Sequence, residues 1–295
     1  MILSLLGSSF ALAQREPVPP FTKPENVEIR PDLVYAQGGG RDLKLDLYLP
    51  AQANDPRPAI VFVHGGGWSG GNRKAFARQA AHLAGQGYVG ACIEYRLSGE
   101  ARFPAAIEDC KAAVRWLRAH ADEFRIDPNR IAACGGSAGG HLVALLGTTG
   151  AEQGLEGRGG NPDFSSRVQL VIPFNGVFDL KPGGTGRSEP VVRFLGATHD
   201  EKPELYTLAS PISHVSRDDP PFLFLHGLDD TTVPIRQSRL MAQALREAGV
   251  PAEVAEYEEA GHGFFNRPPF FEPTLKRLEA FLDRHFRPAT TAPEP

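Results

Sequence analysis

Ser137 stands in Gly135-Gly136-Ser137-Ala138-Gly139, a G-x-S-x-G pattern within the glycine-dense stretch ACGGSAGGHL, residues 133–142. A serine hydroxyl is a weak nucleophile until a base takes its proton and a third group orients that base. Glycines two before and two after a serine permit the sharp strand-to-helix turn that exposes such a nucleophile. The setting fits: the apolar run RIAAC (130–134) precedes the serine and the helix-like AGGHLVALLG (138–147) follows it. A helix N-terminus beside the serine adds a partial positive charge that favours an oxyanion. The same five-residue pattern also occurs in plain turns, so the strand-turn-helix setting carries the assignment.

A second glycine cluster suits the oxyanion. FVHGGGW (62–68) places three consecutive glycines after the β-branched run AIVFV (59–63). This is an HGGG-type loop, whose bare amides act together with the N–H of the residue after the nucleophile, here Ala138. For the base, nine histidines compete. His262 in EEAGHGFFN (258–266) is flanked by glycines in a loop just after the last predicted strand. His141 lies one helical turn beyond Ser137 and reads as a packed side chain. His64 starts the glycine loop and reads as its brace, and His226 as structural. His82, His120, His199, His214 and His285 read as surface or packing residues. For the orienting acid, HGLDDTTVP (226–234) read as H-G-x-x-D-x-x-V-P selects Asp230, leaving Asp229 to the turn. Asp179, after FNGVF, also follows a strand, though a helix-capping role suits it better. The chain order Ser137, Asp230, His262 is that of α/β-hydrolases. Trp68, next to the glycine loop, has two readings: it stacks on a substrate ring, or it belongs to the core.

These residues need a frame that brings them together. YVGACIEY (88–95), VQLVIPF (168–174), PFLFLHG (221–227) and AEVAEY (252–257) read, like AIVFV and RIAAC, as strands. LKLDLYLP (43–50) alternates with period two, as expected near a sheet edge. Between them, Phe103, Ile107, Cys110, Val114 and Leu117 form one helical stripe. Pro234 opens another helix, carrying Met241, Ala244, Leu245 and Ala248 up to Gly249. Leu275, Leu278, Phe281, Leu282 and Phe286 mark a last helix. Continuous apolar strands alternating with helices predict a mostly parallel central sheet covered on both faces, an α/β fold. Residues 149–166 read as a surface loop. Residues 180–215, inserted after strand 6, emerge where open α/β sheets bind ligands and read as a partial lid or substrate wall.

The chain of 295 residues, 41% hydrophobic, is long enough for one large core. Residues 14–287 are read as a single domain, 288–295 as a proline-rich disordered tail. A net charge of −4 with scattered basic residues argues against nucleic acid. Three cysteines, Cys92, Cys110 and Cys134, have no metal-ligand spacing and read as buried free thiols. Residues 1–13 read as a signal peptide, with Ala11-Leu12-Ala13 as the small-x-small site but no basic residue ahead of it. A secreted or periplasmic location follows from that reading. Nothing later reaches the length of a membrane span.

The sequence resembles α/β-hydrolase esterases of the hormone-sensitive-lipase-like group. It is more similar still to bacterial carbohydrate esterases of the acetyl xylan and feruloyl kind. The matching pieces are HGGGW (64–68), EYRLSGEARFPAAIEDC (94–110), GGSAGGHL (135–142), ASPISHVSRDDPPFLFLHGLDDTTVP (209–234) and GHGFF (261–265). The resemblance implies an α/β-hydrolase fold with Ser137 as nucleophile, His262 as base and Asp230 as orienting acid. It also implies an oxyanion hole from the amides of Gly66, Gly67 and Ala138, and no metal or organic cofactor. The expected reaction is hydrolysis of short-chain or carbohydrate-linked esters, acetyl or feruloyl, through an acyl-enzyme. Amide cleavage by a peptidase or arylformamidase relative is the alternative, then lipase activity, then an inactive hydrolase fold that binds carbohydrate. Three departures bear on the substrate. Gly136 stands where the lipase-like pattern has Asp, YRLSGEARFP lacks the usual Ala-Pro-Glu, and the long N-terminal cap is missing. These favour an open site suited to a bulky alcohol such as a sugar.

Overall fold

The structure is a computed structural model describing residues 21–52, 55–182, 186 and 188–287. The signal-peptide reading of 1–13 and the tail reading of 288–295 lie outside the described residues.

Eight strands form one sheet in the order β1-β2-β4-β3-β5-β6-β7-β8. From β3 (Arg57–Val63) and β4 (Val89–Ile93) through β5 (Ile126–Gly136), β6 (Leu170–Phe174), β7 (Phe222–Gly227) and β8 (Ala252–Tyr257) every pairing is parallel. β1 (Val27–Gly38) and β2 (Arg41–Pro50) form an antiparallel hairpin that joins β4. The edge strand β1 carries Pro31 and Asp32, which interrupt its alternation. Pro31 is accommodated because register shifts there, between Arg30 and Leu33, on an edge strand whose outer side needs no ladder donor.

Alternation along the strands sorts their side chains to two cores. Ala59, Val61, Val63, Ala133, Val171 and Phe224 face one side, under α2 (Ala105–Ala119), α4 (Ala138–Thr148) and α7 (Arg236–Glu247). Ile60, Phe62, Ala132, Cys134, Ile172 and Leu225 face the other, under α1 (Ala77–Gly85) and α8 (Phe271–Phe286). A short α3 (Ala121–Phe124) leads into β5. All three cysteines are buried and free, and burial pushes their thiols well above the usual range. Cys134, though near Ser137, is therefore no nucleophile.

The chain leaves β3 toward β4 on one side and then returns to β5 on the other. That reversal opens a crevice at the carboxyl ends of β3 and β5, the place where α/β sheets bind ligands. Two further segments lie outside the regular strand-helix alternation, and of these only 180–215 reaches the crevice, through Ser188, Pro190 and Val191. Residues 180–215 carry two short helices, α5 (Glu189–Leu195) and α6 (Pro203–Leu208), whose Val191, Phe194 and Tyr206 join the first core. The glycine-rich 149–166 loop is pinned from beneath. Buried Lys111 donates to Glu156 Oε1 (2.7 Å) and Thr149 O (2.8 Å), and Arg115 donates to the carbonyls of Gly159 and Gly160.

Candidate active site

β5 ends at Gly136 and α4 begins at Ala138, so Ser137 alone makes the turn. Its φ of 55° and ψ of −118° are a strained combination for a residue with a side chain. Bonds on both sides hold it there: the Ser137 amide donates to Phe174 O (2.9 Å), and the His141 amide donates to Ser137 O (3.0 Å). The glycines let strand and helix close on each other. A Cβ on Gly139 would lie 2.1 Å from Val63 O, and one on Gly135 would lie 2.5 Å from Gly139 O.

The turn aims the Ser137 hydroxyl at His262, on the loop after β8, with Oγ 3.0 Å from Nε2. On the far side of the ring, His262 Nδ1 donates to Asp230 Oδ2 at 2.7 Å. That bond fixes the tautomer, so Nε2 presents a lone pair to the serine. Asp230 follows β7, and its other oxygen accepts the amides of Thr232 (2.8 Å) and Val233 (2.9 Å). Burial alone would raise its carboxyl, but the His262 bond and these amides outweigh it and hold the group below the ordinary carboxylate range. Buried His226 supports this turn. Its Nδ1 lies 2.7 Å from Ser238 Oγ and its Nε2 2.8 Å from Val233 O and 3.6 Å from Asp230. Burial lowers the His226 imidazole, which keeps it neutral beside the carboxylate. Asp229 stays exposed, and Asp179 accepts the Lys181 amide in a turn rather than capping a helix.

Across the cavity, Gly66 has a φ of +117°, and a Cβ there would meet Gly70 O at 2.3 Å. Its carbonyl accepts the amides of Ser69 and Gly70, which folds the loop back on itself. His64 braces the loop through Nδ1 and Gly65 O (2.8 Å) while stacking on Tyr95 at 4.4 Å. Gly66, Gly67 and Ala138 all line the cavity beside Ser137.

Trp68 also lines the cavity, but it is 3% exposed and its ring is already occupied. Phe194 stacks on it at 4.6 Å and 12°, and its Nε1 donates to His141 Nδ1 (3.1 Å). The reading of Trp68 as an open platform for a substrate ring is therefore corrected: it is a buried wall. Two features were missed from the sequence. Asn175, at the end of β6, is buried with φ 37° and places Nδ2 2.8 and 3.3 Å from the two ring nitrogens of His262. An atom that close to both nitrogens faces the ring rather than either lone pair. Its position just past a buried parallel strand was the available signal. Phe265 is the other: a Cβ on Gly136 would lie 2.6 Å from its Cζ, which explains the glycine before the nucleophile.

The cavity has a volume of about 740 Å³. Among its described lining residues there is no Asp, Glu, Lys or Arg; Val177 and Val233, Pro190 and Val191 of the 180–215 segment, and Phe76 and Phe265 give it apolar walls.

A nucleophile turn between β5 and α4, an acid after β7 and a histidine after β8 set around the switch point of a mostly parallel sheet place the chain among α/β-hydrolases of the esterase group. The BD-FAE family model matches residues 45–245, and the chain belongs to that family. The esterase LipC of Mycobacterium tuberculosis is 37% identical over 217 residues, 71% of this chain and 53% of its own. The chain spans about half the length of the curated relatives it matches. Two solved esterases match along nearly their whole length. The thermophilic esterase Est2 of Thermogutta terrifontis with propionate bound has a TM-score of 0.78 at 34% identity, covering 91% of this chain and 97% of Est2. A truncated carbohydrate esterase from gut microbiota has a TM-score of 0.78 at 29% identity, covering 88% and 99%. Est2 is also known phosphoramylated by tabun, with a TM-score of 0.75 at 34% identity, covering 88% of this chain and 95% of Est2.

Proposed function

We propose that this chain hydrolyses neutral, short-chain carboxylic esters, including acetyl esters of carbohydrates, through an acyl-enzyme on Ser137. The observation that carries the reading is the hydrogen-bonded line Ser137–His262–Asp230 opening into a cavity with no Asp, Glu, Lys or Arg among its described lining residues. His262 Nε2 takes the Ser137 proton as Oγ attacks the ester carbonyl, and Asp230 stabilises the imidazolium so formed. The amides of Gly66, Gly67 and Ala138 receive the oxyanion, each donor being worth ~10²–10³ in rate. His262 then protonates the leaving alcohol, and water repeats the attack to free the acid. Propionate in Est2 and the carbohydrate esterase among the structural relatives support a small acyl group and a sugar-borne alcohol.

The described lining makes a charged acyl group costly to admit, because among the described lining residues no Lys or Arg offers it a counter-ion. The test is an ester panel of acetylated xylan fragments, feruloyl sugars, p-nitrophenyl acetate and butyrate, and a succinyl ester. Acetyl and butyryl esters should be turned over and the succinyl ester should not. Equal rates on the succinyl ester, or unchanged rates in Ser137→Ala, would contradict the proposal.

A further inference from the structure

Gly136 and Phe265 face each other across the cavity wall beside Ser137. The tip of the Phe265 ring occupies the space where a side chain at 136 would stand, since a Cβ there would come within 2.6 Å of Cζ. Other rings hold it in place. Phe76 stacks on Phe265 at 5.4 Å and 10°, and Phe174 packs at 4.5 Å and 34°. Phe265 is 6% exposed, so moving the ring would leave a void between two aromatic neighbours. A one-turn helix, Phe264–Asn266, ties it to the loop that carries His262. The wall next to the nucleophile is thus a ring from the histidine loop seated on a glycine from the serine loop.

We propose that Phe265, filling the space left by Gly136, sets the size limit for the ester group, acyl or alkoxy, that lies on this side of Ser137. The inference rests on the esterase reading and deepens it: the enzyme accepts only a small group in this direction. A longer alkyl chain or an aryl ring would have to displace a side chain packed by Phe76 and Phe174. Truncating Phe265 instead joins the cavity to an apolar slot walled by those two rings, which suits hydrocarbon and not water. One methylene in such a pocket discriminates by about 10–200-fold.

The experiment measures kcat/KM for the wild type, Phe265→Ala, Phe265→Leu and Gly136→Ala on two series. One lengthens the acyl chain of p-nitrophenyl esters from acetate to octanoate; the other enlarges the alcohol of acetate esters from methyl to naphthyl. Phe265→Ala should raise the bulky-to-small ratio at least about tenfold in one series, and that series identifies the group concerned. Phe265→Leu should shift it the same way by less. Gly136→Ala, by pushing on the ring, should lower the ratio, and should be better tolerated when Phe265 is also alanine. Ratios unchanged in both series for Phe265→Ala, or for Phe265→Leu where the alanine variant does not fold, would overturn the proposal. A wild type inactive on every ester would overturn the esterase reading instead.

Discussion

His141 makes the stability of the site wall depend on pH, in a direction the structure fixes. The residue lies one turn beyond Ser137 on α4 and is wholly buried. Its Nε2 donates to Ala209 O at 2.7 Å and its Nδ1 accepts from the Trp68 indole at 3.1 Å, so the ring is neutral with both nitrogens satisfied. Burial pushes its pKa down to about 4 from an ordinary 6.5, against the smaller opposing pull of the Ala209 carbonyl. Above pH 6.5 neither the folded nor the unfolded chain binds this proton, and its contribution to stability is complete. Between pH 6.5 and 4 only the unfolded chain takes it up, so stability falls as the pH is lowered. The gap is worth about 3 kcal/mol, mostly lost by pH 4.5. For a chain of this size that is a fall in Tm of about 6 °C attributable to one side chain. His141→Gln keeps an acceptor for the indole and removes the titration. Urea unfolding of both proteins at pH 7.5, 6, 5 and 4.5 isolates the effect, because other buried groups contribute equally to each. The wild type should lose about 3 kcal/mol more than the variant over this range. Parallel stability curves would show that the imidazole is not held neutral as described.

Two further substitutions probe the chemistry. Asp230→Asn removes the acceptor that fixes the His262 tautomer and should lower kcat on p-nitrophenyl acetate by about 10⁴ with little change in KM. A loss under tenfold, with the fold intact by circular dichroism, would refute that role. Gly66→Ala forces a Cβ to within 2.3 Å of Gly70 O at a φ of +117°. It should cost ~10²–10³ in kcat by displacing the amides proposed to receive the oxyanion, and unaltered turnover would remove them from the mechanism.

The sequence was most informative where one local rule acted alone. The buried strands AIVFV, RIAAC and PFLFLHG each lie within β3, β5 or β7 to within a few residues, because burial on both faces leaves one continuous apolar signal. Ser137, Asp230 and His262 were legible because each follows a strand in a glycine or turn setting, and the fold brings all three within hydrogen-bond reach. The edge strand β1 gives a weaker signal, since an edge tolerates the Pro31 and Asp32 that break its alternation. Trp68 had two readings, and only the neighbours contributed by residues 141 and 194 decide between them. Gly136 was opaque for the same reason: its explanation lies in Phe265, 129 positions away in the chain and brought beside it by the fold.

The most direct measurement is reaction with a fluorophosphonate probe followed by peptide mass mapping. One adduct per chain on Ser137 is expected, absent in Ser137→Ala and strongly slowed in His262→Ala, with ester hydrolysis lost in step with labelling. An adduct on another residue, or ester hydrolysis persisting in Ser137→Ala, would contradict the assignment of Ser137 as the nucleophile.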